Sequence, residues 1–418
     1  MDIERVPVRR SAAEPVRDSS ADRAQPLVVY GSSSLRYDFG DRHPLTPRRF
    51  GPGIDLLRVL GADRFLAPSE ASDAELYRVH DPEYVATVRM LSDHPEAGAI
   101  AGFAAWGDDP PFHGMHDAAA TVAGGSVAAM ERILAGTEDH AFHPGGGLHH
   151  AMPGRASGFC IYNDVALAIG RARDAGHRVL YVDLDVHHGD GVEAIFWNDP
   201  EVMTVSFHET GRSLFPGTGF VGEAGAPEAR GTAVNVPLEP GTSDGSWLAA
   251  VQTVVPALAA AYRPTILVSQ HGSDGHALDP LAHLQLTTAA MSRAARLIDE
   301  LAHEHAAGRW LATGGGGYDV YRVVPRAWGL VWLAQAHRDV PTETPVEWRS
   351  RWAAEAAQYR QGPPPEAMFD PPDAIAVEPP GIADRNLATA GAALAGALGA
   401  LAERQDAGQA PGSRRRPA

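Results

Sequence analysis

At 418 residues the chain can hold a large α/β sheet with its covering helices as one unit, and 44% apolar residues supply the core. A net charge of −17, with arginine as the only basic residue besides histidine, excludes a general nucleic-acid binder, which needs a basic stripe. The single cysteine, Cys160, excludes a disulfide framework and a Cys-rich zinc site.

Residues 1 to about 25 are polar and without periodicity, and are expected to be a disordered tail. Arg9-Arg10 precede Ser11-Ala-Ala-Glu14 instead of an apolar run, so no secretory or twin-arginine signal is expected; with the lone cysteine this points to the cytoplasm. No stretch suggests a membrane span.

A strand is expected at 27–30, and helices at 47–60, 82–91 and 117–134. Pro82 takes the first helical position of the second. Strand 140–143 then runs into a glycine-rich turn, and Asn163 caps a helix that Gly176 ends. Further strands are expected at 178–183, 202–206, 232–236, 265–269 and 310–312, with helices at 190–197, 244–261, 287–306 and 321–336. This alternation predicts an α/β fold with a mostly parallel central sheet and helices on both faces, over residues 26–340. Residues 341–380 form a proline-dense extension without clear periodicity. In 381–418, Leu387, Leu394, Leu398 and Leu401 lie at helical spacing and predict a weak helix on the body, then a frayed basic tail from Pro411.

Chemistry concentrates where strands end, the edge at which open α/β sheets collect ligands. After Arg178–Val182 comes Asp183-Leu-Asp185-Val-His187-His188-Gly-Asp190. Asp183, Asp185 and His187 share one parity, so all three can face the same side. A buried Asp beside a His is ordinarily a satisfied ion pair; three such groups in five residues make a metal site the better reading. Asp274 follows another apolar strand and reaches the same edge, although alone it is equally a helix cap. Two carboxylates and an imidazole leave coordination positions open, as a catalytic metal requires; Zn²⁺ and Fe²⁺ both fit.

His149-His150 after Pro144-Gly-Gly-Gly147 supply tandem imidazoles, one able to act as base while its neighbour sets the field. Asp183 and Asp190 are available to fix their tautomers. Tyr318, behind Gly314–Gly317, offers a hydroxyl to a developing oxyanion. With no convincing nucleophilic serine or cysteine, attack by metal-activated water is the chemistry these groups suit.

His149-His150, Gly158-Phe-Cys160, the Asp183–Gly191 run, Phe215-Pro-Gly-Thr-Gly219, Asp274 and Gly314–Tyr318 together resemble the zinc-dependent histone deacetylases. His43-Pro-Leu-Thr-Pro47 and Tyr77–Tyr84 suggest the bacterial acetoin utilization branch. The resemblance covers about residues 27–340 and implies an arginase-like α/β fold. It makes Asp185, His187 and Asp274 the metal ligands, and His150 the general base for a metal-bound water that attacks the acetyl carbonyl of N-acetyl-lysine. His149 would act electrostatically, oriented by Asp183 as His150 is by Asp190, and Tyr318 would stabilise the oxyanion. Gly158, Phe159, Phe215 and Leu281 would line the acyl-lysine, Asp108 would hold the substrate backbone, and Arg49 would stand in an internal product channel. Backbone oxygens of Asp183, Asp185 and His187, with Ser206 and Phe207, would enclose K⁺. An acetylated protein is the implied substrate, with an acyl-CoA synthetase as the expected target. The alternatives are an acetylpolyamine amidohydrolase, a two-metal ureohydrolase and a non-catalytic acyl-lysine binder. Gly189 stands where the ureohydrolase needs a further carboxylate. Around Asp274 the sequence departs from the eukaryotic pattern by carrying His271 and His276.

Overall fold

Eight apolar runs pair into one all-parallel sheet in a computed structural model that describes residues 25–98, 107–374 and 376–409. The tails expected before residue 25 and from Pro411 lie outside the described residues, Gln25 excepted. The strands are β1 (Leu27–Val29), β2 (Phe65–Leu66), β3 (His140–His143), β4 (Val179–Asp183), β5 (Val202–Glu209), β6 (Ala233–Leu238), β7 (Ile266–Gln270) and β8 (Trp310–Thr313). Their order is β2-β1-β3-β8-β7-β4-β5-β6.

Strand alternation divides the core in two. Leu180, Val182, Met203, Val205 and Leu267 point to one face, under helices Asp244–Tyr262, Thr288–His305 and Val324–Gln335. Val179, Tyr181, Val202, Ile266 and Val268 point to the other, under helices Met115–Leu134 and Asp164–Asp174. Because both faces are covered, the strands read as continuous apolar runs. Helix Asp244–Tyr262 is long and apolar enough by composition to cross a bilayer, but Trp247, Val251, Val254, Val255 and Leu258 are buried in this core.

Register sets the functional edge. Asp183 pairs with Gln270 and with Ser206, Gln270 with Thr313, and Thr313 with His143. The C-terminal ends of β3, β8, β7 and β4, four adjacent strands, are therefore level. The loops that leave them carry His149-His150, Tyr318, Asp274 and Asp185–His187.

The elements differ from expectation where periodicity is thin. β2 has two residues and no readable period. The stretch expected as a helix from Pro47 opens with a 3-10 turn, Pro47–Arg49, capped by the Thr46 hydroxyl, before helix Phe50–Val59. Residues 341–380 contain helix Val346–Gln358, which presents few apolar anchors. Trp348 donates from Nε1 to Pro52 O at 2.8 Å, and Trp352 to Asp55 Oδ2 at 2.9 Å. Helix Ile382–Gln409 lies on helix Asp244–Tyr262 and β6. The face it buries is Ala390, Ala393, Ala397 and Leu401, whereas Leu387 is exposed. Small side chains let the helices approach closely, and Leu394, Leu398 and Leu401 of the expected stripe share the contact with these alanines.

The extension is also pinned by Asp370. Its carboxylate accepts from Arg326 Nη2 at 2.8 Å, His276 Nε2 at 2.9 Å, and the Thr288 backbone N–H and hydroxyl, each at 2.8 Å. Burial alone would raise its pKa, but the His276 hydrogen bond and the Arg326 charge hold it well below the usual carboxylate range. A carboxylate depressed in the folded state contributes its stability in full above about pH 4 and loses it as pH falls further. Asp370→Asn leaves the buried Arg326 without its counter-charge. It is expected to cost about 3 kcal/mol at pH 7, with a smaller difference below pH 4, measured by urea unfolding at both pH values. A loss under about 1 kcal/mol at pH 7 would mean that the ion pair contributes no more than an exposed one.

Candidate active site

β4 ends at Asp183, and just past it Leu184 N–H crosses to Gln270 O at 2.9 Å. Asp183 and Asp185 approach the His149 ring at 2.7 and 3.9 Å, and Asp185 and His187 go on to meet Asp274. His187 Nδ1 lies 3.1 Å from Asp185 Oδ1 and 3.1 Å from Asp274 Oδ2. The three ligand atoms all lie within 4.8 Å of one another. Donors bonded at about 2.0–2.2 Å around a tetrahedral ion are roughly 3.3 Å apart, so the set fits a catalytic three-ligand metal site.

The remaining oxygens are tied down, which aims the ligand atoms. Asp185 Oδ2 accepts from Gln270 Nε2 at 2.6 Å and Gly316 N at 2.9 Å, while Asp274 Oδ1 accepts from Val186 N at 3.1 Å. Burial, then repulsion from Asp185, pushes Asp274 up to about 6, the signature of two carboxylates competing for one buried place.

Beside this centre stand two His–Asp pairs. Asp183 Oδ2 accepts from His149 Nδ1 at 2.7 Å and from the Tyr181 hydroxyl at 2.7 Å. Asp190 Oδ1 accepts from His150 Nδ1 at 2.7 Å and Gly191 N at 3.0 Å. The two imidazoles face each other, Nε2 to Nε2, at 3.0 Å. Burial disfavours charge on either ring, but the Asp183 and Asp185 charges overcome it at His149 and raise it to about 9. At His150 burial and the neighbouring His149 charge prevail and lower it to about 4. The surroundings thus favour the doubly protonated imidazolium at His149 and the neutral ring, with its proton on Nδ1, at His150.

Tyr318 lines a narrow cavity of about 20 Å³ together with His149, His150, Phe159, Asp185 and His187. Burial, then the Asp274 and Asp185 charges, raises its phenol well above the ordinary value, so it remains an O–H donor. The Phe159 ring is 5.9 Å from that of Tyr318, and the Phe215 ring 5.0 Å from that of His150. A Cβ on Gly158 (φ +55°) would meet His150 Cδ2 at 2.4 Å, so glycine there lets the chain pass over the imidazole.

Phe215, Gly158 and Asp108 also border a wider cavity of about 550 Å³ at the mouth, with Arg155 and Glu223. The neighbouring Asp109 is buried, has no hydrogen-bond partner for Oδ1 among the described residues, and is pushed up to about 8 by burial and then by Asp108. Leu281 is held through Asp279, whose carboxylate accepts from Leu281 N–H at 3.0 Å and Tyr318 N–H at 2.8 Å. Arg49 is buried and donates to Gly315 O at 2.8 Å. It lines a small internal cavity that shares Leu45 and Leu148 with the Tyr318 cavity. Ser206 and Phe207 lie on β5 beside the end of β4, with Ser206 in register with Asp183.

Four contributors escaped the sequence reading: Gln270, Tyr181, Asp164 and Asp279. Asp164 accepts from Gly147 N–H at 3.1 Å and Leu148 N–H at 2.8 Å, holding the turn that delivers the histidines. Its only sequence signal was its place beside the helix cap Asn163.

The four-glycine run is close-packed against the ligands. A Cβ on Gly316 would lie 2.1 Å from Asp274 Oδ2 and 2.9 Å from Asp185 Oδ2. Gly316→Ala is expected to weaken metal affinity by about 10–100-fold, the cost of disturbing groups that orient ligands. Competition with a chelator of known affinity would measure this, and an unchanged affinity would show that the ligands yield.

A model of the histone deacetylase domain matches residues 43–335. The acetoin utilization protein AcuC of Bacillus subtilis (strain 168) is 40% identical over 377 residues, which are 88% of this chain and 96% of that protein. AcuC of Staphylococcus xylosus is 38% identical over 335 residues, 78% and 86% of the two chains. The crystal structure of a histone deacetylase homologue complexed with SAHA superposes with a TM-score of 0.77 at 25% identity, over 89% of this chain and all of that one. The fold is the arginase/deacetylase-like α/β sheet, and the chain belongs to the histone deacetylase family, as a member close to AcuC. It is accordingly a metal-dependent deacetylase, a hydrolase of amides.

Proposed function

We propose that this chain removes acetyl groups from N-acetyl-lysine side chains of proteins, with zinc at Asp185, His187 and Asp274. The observation that carries the reading is the geometry: His150, its Nδ1 2.7 Å from Asp190 Oδ1, stands beside three buried ligand side chains, with Tyr318 lining the same cavity. A divalent ion held there would supply Lewis-acid chemistry, polarising a carbonyl and lowering the pKa of water. His150 would accept a proton from the attacking water as the C–O bond forms and return it to the amine as the C–N bond breaks, giving acetate and a free lysine side chain. His149, carrying positive charge against Asp183, stabilises the negative charge that develops. Tyr318 donates to the acetyl oxygen, and Phe159 and Phe215 flank the alkyl stem.

The reading extends to K⁺ at the backbone oxygens of Asp183, Asp185 and His187 with Ser206 and Phe207, and to an acyl-CoA synthetase in the cytoplasm as target, in keeping with acetoin utilization in the relatives' names. An acetylpolyamine is the second substrate class, favoured by Asp108 and Glu223 at the mouth, which suit a cationic ligand.

The test is acetate release from an acetyl-lysine peptide by metal-stripped protein, with zinc or iron restored and Asp185→Ala as control. Restored turnover that Asp185→Ala lacks supports the reading. Turnover on acetylpolyamine alone would replace it with the second, and no turnover on either, with metal bound at one ion per site, would leave a binding protein.

A further inference from the structure

At the opposite edge of the sheet, where β3 begins, a second group of ligand-type side chains converges: His140, Asp299, His303 and His337. His140 opens β3, Asp299 and His303 are one turn apart on helix Thr288–His305, and His337 follows helix Val324–Gln335. Asp299 Oδ1 lies 3.5 Å from His140 Nε2, 3.5 Å from His303 Nε2 and 3.2 Å from His337 Nε2. His303 Nε2 lies 3.1 Å from His337 Nε2. All four ligand atoms fall within 4.8 Å of one another. The donors of a tetrahedral zinc ion, bonded at about 2.0–2.1 Å, are separated by roughly 3.3 Å. Four of the six separations here are 3.1–3.5 Å.

The hydrogen bonds of His140 alone do not account for the cluster. Its Nδ1 lies 2.9 Å from Gln335 O, a carbonyl that can only accept, so Nδ1 carries a proton and Nε2 is the ring's free coordinating atom. Nε2 is buried, makes no hydrogen bond among the described residues, and lies 3.5 Å from Asp299 Oδ1. A cation between them would be a partner to both atoms. Backbone donation from Nδ1 is also the usual way a metal-binding histidine is oriented. His337 has φ +51°, a left-handed conformation uncommon outside glycine, asparagine, aspartate and histidine. It places the ring over Asp299.

We propose that His140, His303 and His337, through Nε2, and Asp299, through Oδ1, form a second, four-ligand zinc site, structural and not catalytic. With all four positions taken by protein there is no open position for substrate. The ion ties the first residue of β3 to the last two turns of helix Thr288–His305 and to the turn after helix Val324–Gln335, at the edge of the sheet away from the active site. His303 and His337 side chains are 27% and 23% exposed, so zinc can enter from solvent.

Zinc is counted per chain in protein equilibrated with Zn²⁺ and freed of excess. The full chain is expected to hold two ions, the His303→Ala/His337→Ala variant one, and the Asp185→Ala/His187→Ala variant one. Zinc should raise the melting temperature of the Asp185→Ala/His187→Ala variant and should not do so once His303 and His337 are also replaced. One ion in the full chain, or two in the His303→Ala/His337→Ala variant, overturns the proposal. The wild-type count against the His303→Ala/His337→Ala count decides it even if the fourfold variant does not fold. Neither count depends on which substrate the active site takes.

Discussion

Replacing His150 with alanine is expected to lower kcat/KM for deacetylation by about 10²–10⁴, the range a positioned general base contributes. The two adjacent imidazoles are alike in sequence, and their partners separate them. His150 is the neutral ring beside Asp190, while His149 is held charged against Asp183. His149→Ala removes a positive charge from beside His150, which lets His150 bind a proton more readily; it should therefore be the milder variant. Parallel steady-state assays of both, with metal content matched, check this. A larger loss for His149→Ala than for His150→Ala would transfer the base to His149.

Tyr318→Phe is the second large effect, about 10²–10³ in kcat with little change in metal content, as for loss of an oxyanion donor. The phenol has been raised well above its ordinary value by burial and the flanking carboxylates, so at neutral pH it is a donor and not a nucleophile. Its loop is steadied by Asp279 through the Tyr318 backbone N–H, a contact that phenylalanine keeps. A structural cause would lower the melting temperature, whereas removal of the hydroxyl should not. Full turnover by Tyr318→Phe would leave the metal ion and the histidines as the whole of the catalytic apparatus.

The groups proposed to carry the chemistry were legible as candidates because strand ends announce themselves. An apolar run such as Arg178–Val182 stops at a cluster of Asp and His, and a parallel sheet places such ends at one edge. Within that cluster the partners divide the roles. Equal parity suggested that Asp183, Asp185 and His187 face together; Asp183 and Asp185 both approach the His149 ring, while only Asp185 and His187 meet Asp274. In the C-terminal helix, leucine spacing suggested the side that packs, where Leu394, Leu398 and Leu401 lie, while close packing added Ala390, Ala393 and Ala397 and left Leu387 exposed. Trp348 and Trp352 mark a helix within the proline-dense extension, but their partners lie almost 300 residues earlier, at Pro52 and Asp55.

What the sequence determined by itself was the class of fold, the strand ends that hold function, and the residue types able to bind a metal ion and move protons. These depend on local periodicity and composition, which a chain carries along its length. Only the tertiary structure decided which carboxylate serves which histidine, why Gly316 has no room for a side chain, and that Gln270, Asp164 and Asp279 steady the site. It alone brought His140, Asp299, His303 and His337 together across almost 200 residues. Such relations arise when non-adjacent strands are placed side by side, as β4 is beside β7, and no local pattern records that pairing.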